Sequence, residues 1–166
     1  GEEAMKSNVI HANFGPSVFS LFEKACAIDD VDPEEGIRLY RRALHLDPMC
    51  DEAMANLGRI YFRAGDLDLA ETWWMRAVQT NRRAVDAYYN LGYLLLVKED
   101  YRAAITQFEM AIGIEPDFAD AYFNLAEALA KLGRREEARA CLRTHIKLRG
   151  AWTDEARAAL GVRLVK

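Results

Sequence analysis

MANLGRIYFRAGDLDLAETWWMRA at residues 54–77, YYNLGYLLLVKEDYRAAITQFEMA at 88–111 and YFNLAEALAKLGRREEARACLRTH at 122–145 are one pattern written three times, with a step of 34 residues. Leu57, Leu91 and Leu125 keep that step, as do Gly58, Gly92 and Ala126, and Ala70, Ala104 and Ala138. Tyr40, Trp74, Phe108 and Leu142 carry it back to an earlier copy, and Ala43, Ala77 and Ala111 run beside them. A fixed period of this length marks stacked structural units, each too small to bury its apolar face alone.

Within a copy the apolar residues fall at helical spacing twice over. Met54, Leu57, Gly58 and Tyr61 make one stripe, and Leu67, Ala70, Trp74 and Ala77 make a second. Between them, Gly65-Asp66, Asp100 and Asp32-Pro33 set an N-cap acceptor before a second helix, with Pro33 suited to the first helical position. Pro48 and Pro116 end the helices before them. Gly58, Gly92 and Ala126 remove bulk where backbones approach, and Trp74 or Phe108 fills the space between hairpins.

These residues resemble the tetratricopeptide repeat family over about residues 17–152. The resemblance implies a right-handed α-solenoid of antiparallel helix pairs, all-α, with four hairpins at 17–50, 51–84, 85–118 and 119–152. Residues 153–166 are expected to form a capping helix, because Thr153, Asp154 and Glu155 open an amphipathic stretch through Ala156, Leu160 and Leu164. Residues 1–16 read as an extension outside the repeats, either disordered or left by processing; Val9, Ile10 and Phe14 are apolar enough for it to act instead as a tethered ligand.

Some positions depart from the family pattern. Arg82 stands where a proline is expected and Glu99 where the turn glycine is. The first copy has Gly36 for the usual alanine, and its first helix fits best with Phe22, Ala25 and Ile28 in the packing positions.

Composition agrees with a helical reading. The chain is 51% hydrophobic with four prolines and ten glycines in 166 residues, enough apolar material for an ordinary core and little to break helices. Residues 1–130 carry 12 Lys and Arg against 22 Asp and Glu, whereas 131–166 carry 10 against 4, so the molecule is polarised into an acidic body and a basic end. No apolar run nears the roughly 20 residues that cross a bilayer, and no membrane insertion is expected. Cys26, Cys50 and Cys141 show no CxxC pairing, which favours a reducing compartment and a cytoplasmic location.

Chemistry is not signalled. His11, His45 and His145 lie far apart, and no HExxH, GxSxG, P-loop or GxGxxG pattern occurs. We expect no enzyme, no metal and no cofactor. Nucleic acid is not expected as a partner, because the candidate groove is acidic and repels phosphate. His145, at a position held elsewhere by alanine, is expected to pack or to bond between helices.

The resemblance places a partner-binding face on the first helix of each unit. Asn56, Asn90 and Asn124 repeat there with the 34-residue step, and an amide that both donates and accepts can hold the backbone of an extended peptide. Similar asparagine ladders occur in tetratricopeptide proteins that hold extended peptides; the alternative is that these amides only bond neighbouring helices. Asp86 and Asp120 add acidic contacts or complement helix dipoles, and Tyr89, Tyr93, Phe123 and Phe62 offer aromatic anchors. Arg59 and Glu127 complete the expected peptide-binding set. Trp73 is expected to point away from the buried stripe. The family's carboxylate clamp would need cations where Asp120 and Asn124 stand.

The reading is therefore a scaffold or adaptor whose partner is another protein or peptide in extended form. Homotypic assembly through unlike ends is the alternative, followed by the partner-sensing domain of a larger bacterial regulator.

Overall fold

The computed structural model describes residues 17–149, which form eight helices and no strand. They are α1 (Val18–Ile28), α2 (Pro33–Leu46), α3 (Asp51–Arg63), α4 (Leu67–Thr80), α5 (Val85–Val97), α6 (Tyr101–Ile114), α7 (Ala119–Lys131) and α8 (Arg135–Arg149). Helices α1–α4 belong to one compact unit and α5–α8 to a second, divided at Arg82 and Arg83. The expected capping helix and the N-terminal extension lie outside the described residues.

The second helices α2, α4 and α6 are started by local chemistry. Asp32, Asp66 and Asp100 accept hydrogen bonds from the backbone amides of Glu35, Leu69 and Ala103 at 3.0, 3.1 and 3.2 Å, satisfying donors that a helix start leaves open. The first helices α3, α5 and α7 have no side-chain cap; their opening turns instead carry Asp51 and Glu52, Asp86, and Asp120. Those carboxylates complement the helix dipole. The tight joints place Gly65, Glu99 and Gly133 at φ of 82°, 62° and 76°. Glu99 thus adopts a left-handed backbone that glycine takes without steric penalty.

The small-and-aromatic ladder explains the hairpin spacing. A Cβ added at Gly58 would lie 2.5 Å from the Trp74 indole, and one at Gly92 would lie 2.8 Å from the Phe108 ring. Trp74 also donates its indole N–H to the Ala55 carbonyl at 3.0 Å, so the large ring is polar-satisfied as well as buried. Helix α4 ends at Thr80 without the proline that Arg82 replaces.

The first hairpin corrects its sequence reading. Leu21 and Ala25, not Phe22 and Ile28, are the buried residues of α1; Phe22 and Ile28 lie half-buried at the margin of the core. Gly36 is explained by Asp29, whose Cβ would meet an added Cβ at 2.7 Å. An alanine there would collide with a side chain the sequence pattern did not place inside. Trp73 is likewise half-buried against this core, with the Arg76 guanidinium 4.6 Å above its ring, instead of projecting freely.

Candidate functional site

On the first helices α3, α5 and α7 the residues beside the packing stripe recur at the same positions: 52, 56, 59 and 63 on α3, then 86, 90, 93 and 97 on α5, then 120, 124, 127 and 131 on α7. The spacing of three and four keeps each set on one helical face.

In the first unit this face is tied down by acidic groups from the α1–α2 turn. Asp29 is 1% exposed, and its Oδ2 accepts from the Tyr40 hydroxyl at 2.7 Å and from Arg59 at 2.6 Å. Arg59 also reaches Asp30 at 3.2 Å, and Arg63 pairs with Asp30 and donates to the Asp29 carbonyl. The two guanidiniums hold the exposed Asp30 carboxyl below its ordinary value, Arg63 more strongly than Arg59. Asn56 points its amide at Cys26 Sγ, 3.7 Å away. Phe62 lies half-buried against Trp74, with ring centroids 5.7 Å apart.

This network was not legible in the sequence. Gly36 was the available signal, since a missing side chain in an alanine position implies that something else fills the space.

In the second unit α5 and α7 are neighbours, so their faces lie side by side. Asp86 is exposed, Asn90 half-buried, Tyr93 41% exposed and Val97 49% exposed. On α7, Asn124 is 8% exposed and donates to the Tyr89 hydroxyl at 3.0 Å, whereas Glu127 and Lys131 are exposed. Tyr89 sits between Phe108 and Phe118 at 6.0 and 4.7 Å. Burial first, then the Asp120 charge, pushes its phenol above the ordinary value. Asp120 pairs with Arg149.

The asparagines are therefore equivalent in period and unequal in environment. Asn124 serves an inter-helix bond, Asn56 faces a thiol, and Asn90 is set beside Tyr93's exposed ring on the α5 face.

Phe123 lies one helical turn from Glu127 on α7, its ring half-buried and tilted against His145 with centroids 5.3 Å apart. With Glu127, Arg135, Arg139 and Leu142 it lines a cavity of about 480 Å³ between α7 and α8. His145 is buried, with Nδ1 2.7 Å from the Ala119 carbonyl, the inter-helix role its position implied. Among the described residues no three His, Cys, Asp or Glu side chains gather as metal ligands, and no helix is long and apolar enough to cross a membrane.

Two models of the tetratricopeptide repeat match the chain, one at residues 27–88 and the other at 95–161. The chain belongs to the tetratricopeptide repeat family and has its all-α solenoid fold, a protein–protein interaction scaffold. Among solved structures it is similar to MamA, at 27% identity and a TM-score of 0.71 over 90% of this chain and 79% of that one. A second MamA crystal structure gives 26% and 0.71 over 78% and 75%. The TPR domain of Arabidopsis OM64 shares the fold, with 22% identity and a TM-score of 0.63 over 67% of this chain and 91% of that domain. No curated protein sequence matches the chain.

Proposed function

We propose that the first-helix faces hold an extended segment of a partner polypeptide, and that the α5–α7 face is the principal contact. The observation that carries this reading is the exposure of Tyr93, 41%, beside half-buried Asn90 and exposed Asp86 and Glu127 on two adjacent helices. Tyr93 supplies rigid amphipathic area at small entropic cost. The Asn90 amide can pair with both the N–H and the C=O of a peptide backbone.

The roles of the set are unequal in this proposal. Asn90, Tyr93, Asp86 and Glu127 contact the ligand directly. Asn124, Tyr89 and Asp120 hold α7 and its neighbours in place, and Arg59 reaches a partner only by loosening its grip on Asp29. Phe123 and Phe62 act through packing. The fold supports a scaffold without chemistry of its own. The three cysteines are unpaired, which supports a reducing compartment, and we place the chain in the cytoplasm on that ground.

Affinity capture with the intact chain supplies the partner. Asn90→Ala combined with Tyr93→Ala is then expected to weaken its binding by about 10-fold or more, the loss of one to two hot-spot contacts. Unchanged affinity in a variant that keeps its helical circular dichroism would sink the proposal.

A further inference from the structure

Two acidic residues of the α1–α2 turn hold the arginines of the α3 face, and they do so on different terms. Asp29 is buried, and among the described residues its Oδ1 has no hydrogen-bond partner, so this carboxylate depends on Tyr40 and Arg59 at Oδ2. Taking Arg59 away strands a buried charge, which is costly. Asp30 is held more loosely. Its side chain is 68% exposed, as is 43% of the Arg63 side chain that pairs with it. An ion pair open to water contributes little, because water replaces either partner. The Asp29 carbonyl holds Arg63 only at 3.3 Å. Arg59 is therefore a fixed cation and Arg63 a movable one.

The two guanidiniums converge on one carboxylate at the surface. Arg59 reaches Asp30 Oδ1 at 3.2 Å, and Arg63 pairs with the same oxygen. This is a carboxylate site already built, and filled by the chain itself. Asp30 shows which chemistry it accepts, a side-chain carboxylate. Asn56, one turn before Arg59 on α3, offers an amide to the backbone of a segment that carries such a side chain. Glu52, exposed one turn earlier still, repels a second carboxylate and directs the acidic residue to the Arg63 end. Positions 120 and 124, where the family's clamp needs cations, take no part.

We propose that Asp30 is an internal competitor, displaced from Arg63 by an acidic side chain of a partner polypeptide while Arg59 stays on Asp29 and lends its charge. The α3 face is then a site for acidic segments, opened only by a ligand that outcompetes the chain's own carboxylate. It shares the first-helix reading proposed above but uses no residue of α5 or α7.

Nuclear magnetic resonance on the intact chain reads the Nε–H signals of Arg59 and Arg63 directly. A short glutamate-rich peptide, acetylated and amidated, is expected to shift both signals, and its glutamine counterpart neither. Asp30→Asn is expected to tighten the glutamate peptide by about two- to fivefold, the strength of an exposed ion pair expressed as affinity. Asp30→Ala repeats the measurement without a new amide. Glu23→Gln removes the same charge from an exposed position on α1 and is expected to leave the affinity unchanged. Adding Arg63→Gln to Asp30→Asn is expected to cancel the gain. Asn90→Ala with Tyr93→Ala is expected to leave this peptide's affinity as it is, so failure of the α5–α7 contact and failure of this site are told apart. Asp30 variants that bind no more tightly than the unmodified chain overturn the proposal. Equal tightening by Glu23→Gln also overturns it, by reducing the effect to bulk charge, as does an equal response to the glutamine peptide.

Discussion

Two residues show how a single side chain can work against or for its position. Glu99 holds φ at 62° in a joint whose counterparts are Gly65 and Gly133. A left-handed backbone costs a non-glycine residue about 1–2 kcal/mol, part of which glycine returns as chain entropy. Glu99→Gly is therefore expected to stabilise by about 0.5–1 kcal/mol, read as a higher urea midpoint at unchanged m-value. Tyr40 is fully buried, and its phenol is pushed far above its ordinary 10.0, by burial first and then by its hydrogen bonds to Cys26 and Asp29. A raised folded-state value means that the stabilising contribution is complete below pH 10 and is lost as pH rises further, because the unfolded chain ionises first. Tyr40→Phe is expected to lose about 1–2 kcal/mol at neutral pH, from the hydrogen bond to a carboxylate. Its stability should then fall less steeply than that of the unmodified chain above pH 10, measured by denaturant titration at successive pH values.

At the scale of elements, the hairpins depend on fitting a large ring against a bare backbone. Gly92→Ala puts a methyl group 2.8 Å from Phe108 and is expected to cost about 1–3 kcal/mol by overpacking. Adding Phe108→Leu should recover part of that loss, so the double variant is less destabilised than the sum of the singles; simple additivity in thermal unfolding would refute the fit. The α3 contact with the α1–α2 turn follows a different rule, charge on charge. Arg59→Ala leaves the buried Asp29 carboxylate short of a partner and is expected to cost about 2–3 kcal/mol, discounted for the partial exposure of Arg59. A stability-neutral Arg59→Ala in denaturant titration would contradict the network. The N-cap aspartates and the recurrence of a small residue and a large ring were readable from the 34-residue step; that Phe108 packs over Gly92 of its own hairpin, and not between hairpins, was not.

For the molecule as a whole, repeat stacking predicts that damage stays near its source. In a solenoid each hairpin is stabilised chiefly by itself and its nearest neighbours. Gly92→Ala is thus expected to speed hydrogen exchange in α5, α6 and α7 while α1 and α2 keep their protection; uniform acceleration across all helices would show a single cooperative unit instead. The acidic body and basic end were visible in composition. The structure adds that much of the basic end is already paired, Arg134 with Glu137, Arg139 with Glu136 and Arg149 with Asp120.

The period alone determined the helix pairs, the aspartates that cap α2, α4 and α6 and the small residues at 58 and 92, because helical spacing and local capping are rules of near neighbours in the chain. That the ring of the same hairpin, Trp74 or Phe108, fills the space over each glycine was decided by the tertiary structure. The period also placed Asn56, Asn90 and Asn124 at one register position. Only the tertiary structure decided which of them faces outward. Asn124 is covered through Tyr89, 35 residues away, and Arg59 is held by Asp29, 30 residues away. A repeat fixes where each backbone position lies, but availability depends on the side chains that neighbouring copies bring to it, and those differ from copy to copy.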